Sequence, residues 1–456
     1  MNPGYRSPRS LGPRFAAFFR ITEPEGLPVL LAGGYFFFLL AAYYVLQPLR
    51  DELALQIGTE HLPALFRWTL VLMLVLNPVY SWFVSRFPRR KVIAWFYRLS
   101  SCSILAFYGG LRFLPPEWGT MLTWGFYLWV NIFNLFAVSI FWSVMVDRFT
   151  PLQGRRLFGL LAAGGTSGQL VGSGLTTSLA GLVPTTVDLL LLSWILLEVA
   201  LFCLRRLLRS TAEVASPDSA SAVKKSNGSS ALAGFREVLG SPYLLGICLF
   251  MLLYTFTSTF LYFEKQDIVA SVLSDRAARL AYFSRINLLV AGLTLAIQVF
   301  LTGRMIASFG LTAMLCVLPL LTALGFLVLG LSPTLLVIAG FEVLRRTANF
   351  ALTRPAREVL FTVLPPLAKY RAKSVLDTFV YRGGDALSSW VFEYLQALRL
   401  GVSGIALVAV ALALLWTGVA FGLGRHQATM QARGAHSPSP GQKTGGQGAE
   451  APVPQG

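Results

Sequence analysis

The chain has 456 residues, 55% of them hydrophobic and only 13% Asp, Glu, Lys or Arg, about half the charge density of a soluble domain. That excludes a water-soluble enzyme core and leaves apolar sequence for about a dozen spans of ~20 residues. The net charge of +17 does not call for nucleic acid, because the basic residues are sorted by loop, as a membrane protein requires.

The first 26 residues hold Arg6, Arg9, Arg14 and Arg20 without a compact apolar core and small-residue cleavage site, so the first apolar run is expected to stay as a span. Apolar runs then predict six helices at 27–47, 64–85, 92–113, 121–146, 157–182 and 185–204. Six more are predicted at 242–263, 283–301, 311–331, 334–350, 374–395 and 402–422. Gly and Pro inside several runs are tolerated where neighbouring helices satisfy the backbone. The expected organisation is a cytosolic tail (1–26), a six-helix bundle (27–205), a polar cytosolic linker (206–241), a second six-helix bundle (242–423) and a disordered tail (424–456). The linker carries Pro217, Ser219, Lys224, Lys225 and Gly228 and cannot bury a core. Cys102, Cys203, Cys248 and Cys316 lie singly in apolar runs, with no pairing or metal-ligand spacing.

Counting Lys and Arg along this alternating path puts 28 on the side of the N-terminus and six on the other, so both termini are expected in the cytosol. Arg67, Arg98, Arg285 and Arg382 fall inside predicted spans. The halves also show local symmetry: SWFVSRFPRRKVI (residues 81–93) and GRMIASFGLTAML (303–315) hold the same place in each half. The fold class read from this pattern is an all-α membrane protein of twelve transmembrane helices in two pseudo-symmetric six-helix bundles. Such paired repeats bind cargo at their interface near the midplane.

The turn SRFPRRKVI is similar to the signature turn of the major facilitator superfamily, with Ser85 in place of its acidic residue and Pro88 in place of its second glycine. Three segments resemble the ATP/ADP antiporter family, a nucleotide-transporter branch of that superfamily: YYVLQPLRDELAL (43–55), FWSVMVDRFTPLQGRRLFG (141–159) and RPAREVLFTVLPPLAKYRAKSVLDTFVYRGGD (354–385). The resemblance implies the major facilitator fold and a phosphate-bearing cargo. It also places Arg50 and Arg67 where that family has lysines associated with nucleotide phosphates. Asp385, after Gly383 and Gly384, stands where a third lysine is expected, with Arg382 nearby.

An ionisable side chain within a span faces a hydrated cavity or a partner. Arg98 reads as ~10 Å deep in the third span, as a cavity residue or a snorkelling one. Arg382 lies close to the midplane, with Asp385 three positions on as its ion partner or a coupling group. Arg50, Asp51 and Glu52 follow Pro48 at the outer end of the first span, and Arg67 and Arg285 sit in the outer thirds of theirs. Guanidinium forks hold phosphate or carboxylate through paired hydrogen bonds and stay charged. The expectation is therefore that Arg50, Arg67, Arg98, Arg285 and Arg382 line one positive cavity, with Asp51, Asp147, Glu342 and Asp385 in coupling or gating. Asp147 with Arg148, Arg155 and Arg156, and Glu342 with Arg345, Arg346, Arg354 and Arg357, read as gate ion pairs or as positive-inside residues. Tyr43, Tyr44, Trp129 and Asn131 are candidates for stacking on or bonding to a cargo ring.

No His pair, Cys cluster, catalytic Ser-His-Asp spacing or phosphate loop occurs, so no enzyme and no cofactor are expected. The functional expectation is a secondary active transporter of a small anionic metabolite, nucleotides and other phosphate compounds among the candidates. Its expected partners are that small-molecule anion and the lipid bilayer, with no nucleic acid. The expected state is a monomer in a bacterial inner membrane. A proton-coupled carrier of an unrelated molecule and a non-transporting scaffold or sensor are the alternatives.

Overall fold

The computed structural model describes residues 25–210, 236–300, 302–364, 372–373 and 375–435. Every regular element among them is helical. The first half contains α1 (Gly26–Gln56), α2 (Leu62–Arg86), α3 (Arg89–Phe113), α4 (Gly119–Arg148), α5 (Pro151–Leu179) and α6 (Leu189–Ser210). The second contains α7 (Pro242–Val272), α8 (Arg276–Phe300), α9 (Thr302–Leu331), α10 (Leu335–Ala348), α11 (Arg354–Leu360), α12 (Tyr381–Ala397) and α13 (Val402–Ala435). Among the described residues, nine helices are long and apolar enough to cross a membrane. The other expected spans are helical as well, each with a departure. In α5 the apolar run is diluted by glycines and hydroxyl residues, α10 and α11 are joined through a π-helical turn at Asn349–Thr353, and another π turn, Leu376–Val380, leads into α12.

The helix ends differ from the apolar runs in an instructive way. Helices α1 and α7 each have 31 residues, about 46 Å at ~1.5 Å per residue, well beyond a ~30 Å hydrocarbon layer. Both continue past the end of their apolar run, so Arg50, Asp51 and Glu52 on α1 and Lys265 on α7 lie on helices and are buried, not in loops. Pro48 sits inside α1, a position that spanning helices tolerate. Helix α13 runs on to Ala435, into the segment expected to be tail. The expected linker lies largely outside the described residues, as do most of both tails.

Local chemistry sets several of the boundaries. Thr150 caps α5: its hydroxyl accepts from the Gln153 backbone N–H, the Gln153 side chain accepts from the Thr150 N–H, and Pro151 follows at the first position. Once started, α5 lies against α1 with no room for side chains between them. A Cβ at Gly168 would stand 2.1 Å from the Phe37 carbonyl oxygen, and one at Gly172 would stand 2.4 Å from that of Ala41. Small residues let backbones meet in this way where lipid gives no hydrophobic drive. Around this contact a core of aromatic rings fills the first half, with Phe36 and Phe141 stacked at 3.8 Å. Trp68, Val75 and Trp82 on α2, Leu99 on α3 and Leu324 on α9 are exposed on the outside, as suits a lipid-facing surface.

The internal symmetry has a structural mark. Gly310, at φ 74° and ψ 170°, breaks α9 222 positions after Pro88, the extended residue that separates α2 from α3. Both breaks fall within the two matched turns read from the sequence.

Candidate functional site

The two halves enclose a cavity of about 180 Å³ between α1, α2, α4, α7 and α12. From the first half, α1 supplies Arg50 and α4 supplies Tyr127 and Asn131. From the second, α7 supplies Ser258 and Tyr262, and α12 supplies Arg382 and Asp385. Arg50 is buried. Its Nε and Nη2 donate to Asp51 Oδ1 at 3.0 and 2.7 Å, its Nη1 donates to Asn131 Oδ1 at 2.6 Å, and its guanidinium lies 4.9 Å from the centre of the Tyr127 ring. Asn131 is itself aimed by donating to the Tyr127 carbonyl at 3.0 Å. Arg382 and Asp385, one turn apart on α12, pair at 3.5 Å. Each half thus brings to the cavity one arginine that is paired with an aspartate.

One end of the cavity is closed by contacts between the halves. Tyr262 donates to Asp51 Oδ1 at 3.1 Å, and its hydroxyl is 3.3 Å from that of Tyr127. Arg67 on α2 donates to Glu393 Oε2 on α12 at 2.5 Å. Glu52 on α1 faces Arg279 on α8 at 3.8 Å, Arg276 donates to Gln56, and Thr177 on α5 meets Ser284 on α8 at 2.8 Å. These contacts lie toward the ends of α1, α5, α7 and α12 and the starts of α2, α4 and α8.

Of the five arginines expected to converge, Arg50 and Arg382 share the cavity and the other three do not line it. Arg67 is in the interface at the closed end. Arg98 is exposed and pairs with Glu198 on α6 at 3.1 Å; Glu198 also accepts from Ser101 at 2.7 Å, so this network ties α3 to α6. Arg285 is on the exposed side of α8, between buried Ser284 and Ile286. The ~10 Å depth of Arg98 and the outer-third position of Arg285 place them along their helices but not around them.

The expected gate residues also separate. Asp385 lines the cavity, and Asp51 is buried beside it as the partner of Arg50 and Tyr262. Asp147 is exposed at the end of α4; near it, Arg148 donates to the Leu208 carbonyl at 3.5 Å, and Arg156 pairs with Glu25 at 2.6 Å, both within the first half. Glu342 is buried in the second half, where its Oε1 accepts from Lys265 at 3.1 Å and Arg346 at 3.3 Å. Lys265 in turn lies 4.8 Å from the centre of the Tyr262 ring, behind the cavity wall. Trp129 stacks on Phe133 at 5.3 Å in the first-half core, and Tyr43 packs edge-on to Tyr44. Of the four ring-binding candidates, Asn131 lines the cavity.

Sequence reasoning did not single out Tyr127, Tyr262, Ser258, Lys265 or Glu393. Arg345 was read only as part of a terminal basic cluster, yet it is buried. Its Nε donates to Thr322, its Nη1 to Ser258, and its Nη2 to Thr257 and to the Tyr254 carbonyl, at 3.1 to 3.3 Å. The signal was the hydroxyl run Thr255, Thr257, Ser258 and Thr259 in an otherwise apolar span.

Solved transporter structures share this architecture. A POT family transporter in complex with 5-aminolevulinic acid superimposes with a TM-score of 0.62 at 13% identity, covering 88% of this chain and 96% of that one. A D-xylose-proton symporter gives 0.59 at 14% identity, covering 87% and 97%. A bacterial homologue of the human lysosomal transporter Spinster, inward-facing and unoccupied, gives 0.56 at 16% identity, covering 92% and 99%. The fold is that of these solved transporters. In sequence, this chain is similar to ADP,ATP carrier protein 2 of Chlamydia pneumoniae, 26% identical over 216 residues, which are 42% of this chain and 40% of that carrier. The match therefore spans less than half of the carrier's length, and it supports the likeness to nucleotide antiporters read from the three segments. No protein-family model matches the chain.

Proposed function

We propose that this protein is a secondary transporter that carries a small metabolite bearing an anionic group across a lipid bilayer, its two bundles rocking about the central cavity. The observation that carries this reading is the meeting of Arg50 from α1 and Arg382 from α12, one from each half, on a single cavity. A cargo held by both guanidiniums would join the bundles, and motion about it would expose it to alternate sides. Asp51 and Asp385 hold the arginines in place between cargoes and exchange partners when an anion arrives. The Arg67–Glu393 bridge and the Glu52–Arg279 contact act as the latch of the closed end. The Lys and Arg bias supports a bacterial inner membrane with both termini in the cytosol.

The test is uptake by proteoliposomes containing the full chain, loaded internally with ADP or left empty, with labelled ADP and inorganic phosphate as probes. Arg50→Gln and Arg382→Gln are each expected to lower uptake at least tenfold, since each removes charge-assisted bonds to the anion. Wild-type rates in both variants would remove the proposal. A proton-coupled carrier is the second reading, favoured by a single feature: Asp385 lines the cavity with one 3.5 Å ion pair. Uptake that collapses with an uncoupler and needs no internal substrate selects it over exchange.

A further inference from the structure

We infer that the anionic group of the cargo, held between Arg50 and Arg382, is also received on the Ser258 wall of the cavity, through a hydroxyl polarised by Arg345. This rests on the reading of the cavity as the cargo site. The lining arginines are already neutralised, Arg50 by Asp51 and Arg382 by Asp385. Arg345 differs. Its hydrogen-bond acceptors are three hydroxyls and one carbonyl, and among the described residues no carboxylate lies within ion-pair distance of it. The Glu342 carboxylate, one turn earlier on α10, is engaged by Lys265 and Arg346. These four side chains together carry two more positive charges than negative.

The direction of the hydroxyl hydrogens makes this charge usable. A hydroxyl that accepts from a guanidinium must turn its own hydrogen elsewhere. Thr322 gives its hydrogen to the Leu318 carbonyl at 2.7 Å, and Thr257 gives its own to the Leu253 carbonyl at 2.9 Å. Ser258 accepts from Arg345 at 3.2 Å and has no such carbonyl acceptor among the described residues. It is also the one hydroxyl of the three that lines the cavity. Its hydrogen therefore points into the cavity with a positive charge directly behind it, which is the arrangement of a donor for a phosphate or carboxylate oxygen. Ser258 is the contact residue, and Arg345 acts through it as a positioning residue.

The experiment is isothermal titration of inorganic phosphate and of ADP into the full chain in lipid nanodiscs. Ser258→Ala is expected to weaken the probe that binds wild type about tenfold, the loss of one hydrogen bond to a charged group. Ser258→Thr, which keeps the hydroxyl, is expected to stay within about threefold and to keep the wild-type thermal midpoint without probe. Arg345→Met is expected to lose affinity equally, and adding Ser258→Ala to it is expected to cost nothing further, because coupled residues are not additive. If Arg345→Met does not fold, the Ser258 pair of variants decides alone. Wild-type affinity in Ser258→Ala with a loss in Arg50→Gln or Arg382→Gln overturns the inference and leaves the cargo cavity standing. Equal losses in Ser258→Ala and Ser258→Thr mark a packing defect and also overturn it. Failure of wild type to bind either probe overturns both this inference and the anion reading beneath it.

Discussion

The first half of the chain and the second both bury charge but differ in how their helices pack and how regularly they run. In the first, α1 and α5 meet backbone to backbone at Gly168 and Gly172, aromatic rings fill the remaining space, and the helices run without π turns. In the second, Lys265, Glu342 and Arg345 are buried together, and two π turns interrupt the passes that carry Arg345 and Arg382. Buried charge adds little stability, since desolvation offsets most of the attraction, and π turns gather at functional sites. The comparison teaches that both halves bury charge, Arg50, Asp51 and Glu52 in the first and Lys265, Glu342 and Arg345 in the second, and that among the described residues the π turns fall in the second.

The largest expected effect breaks the backbone contact between α1 and α5. Gly168→Val forces a side chain onto the Phe37 carbonyl and is expected to cost about 3 kcal/mol or more, read as loss of monodisperse protein or a large fall in the thermal midpoint. Of similar size, Lys265→Met leaves Glu342 buried with only Arg346 and should cost about 3 kcal/mol. Replacing both partners (Lys265→Met with Glu342→Leu) should recover most of that in the same thermal assay. A smaller effect separates two adjacent glycines. A Cβ at Gly384 would lie 2.3 Å from Thr255 Oγ1 whereas one at Gly383 meets nothing within 4 Å, so Gly384→Ala should cost about 1 to 2 kcal/mol and Gly383→Ala close to none. The smallest sharpens the seam. Arg67→Gln removes a half-exposed bridge worth about 0.5 to 1 kcal/mol, too little to unfold the protein. It is expected to raise maleimide labelling of a cysteine placed at Thr69, on the cavity side of that bridge.

The span pattern was legible because an unbroken run of about twenty apolar residues matches the thickness of a bilayer and is longer than a soluble core requires, and the paired turns at Pro88 and Gly310 showed the repeat. Depth along a helix was legible too, but orientation around it was not. Arg98 and Arg382 carry the same sequence signal, and only the neighbours settle that one pairs with Glu198 at the outside and the other reaches the cavity. Charge was a misleading end marker. Arg50 and Lys265 look like loop residues because water is the cheapest place for them, yet each has partners on other helices that hold it inside. Arg345 was hidden beside Arg346 in a basic cluster, and its partners, scattered over α7 and α9, share no spacing with it. The π turns leave no mark in composition.

The contact between α1 and α5 has one further consequence. A joint with no space for a methyl group cannot slide, so it clamps these two helices into a stator that carries Arg50 as a fixed fiducial. In the proposed transport cycle any stroke is then expected on the opposite side, where amide hydrogen exchange should be fastest at Asn349–Thr353 and slowest along Phe37 and Ala41.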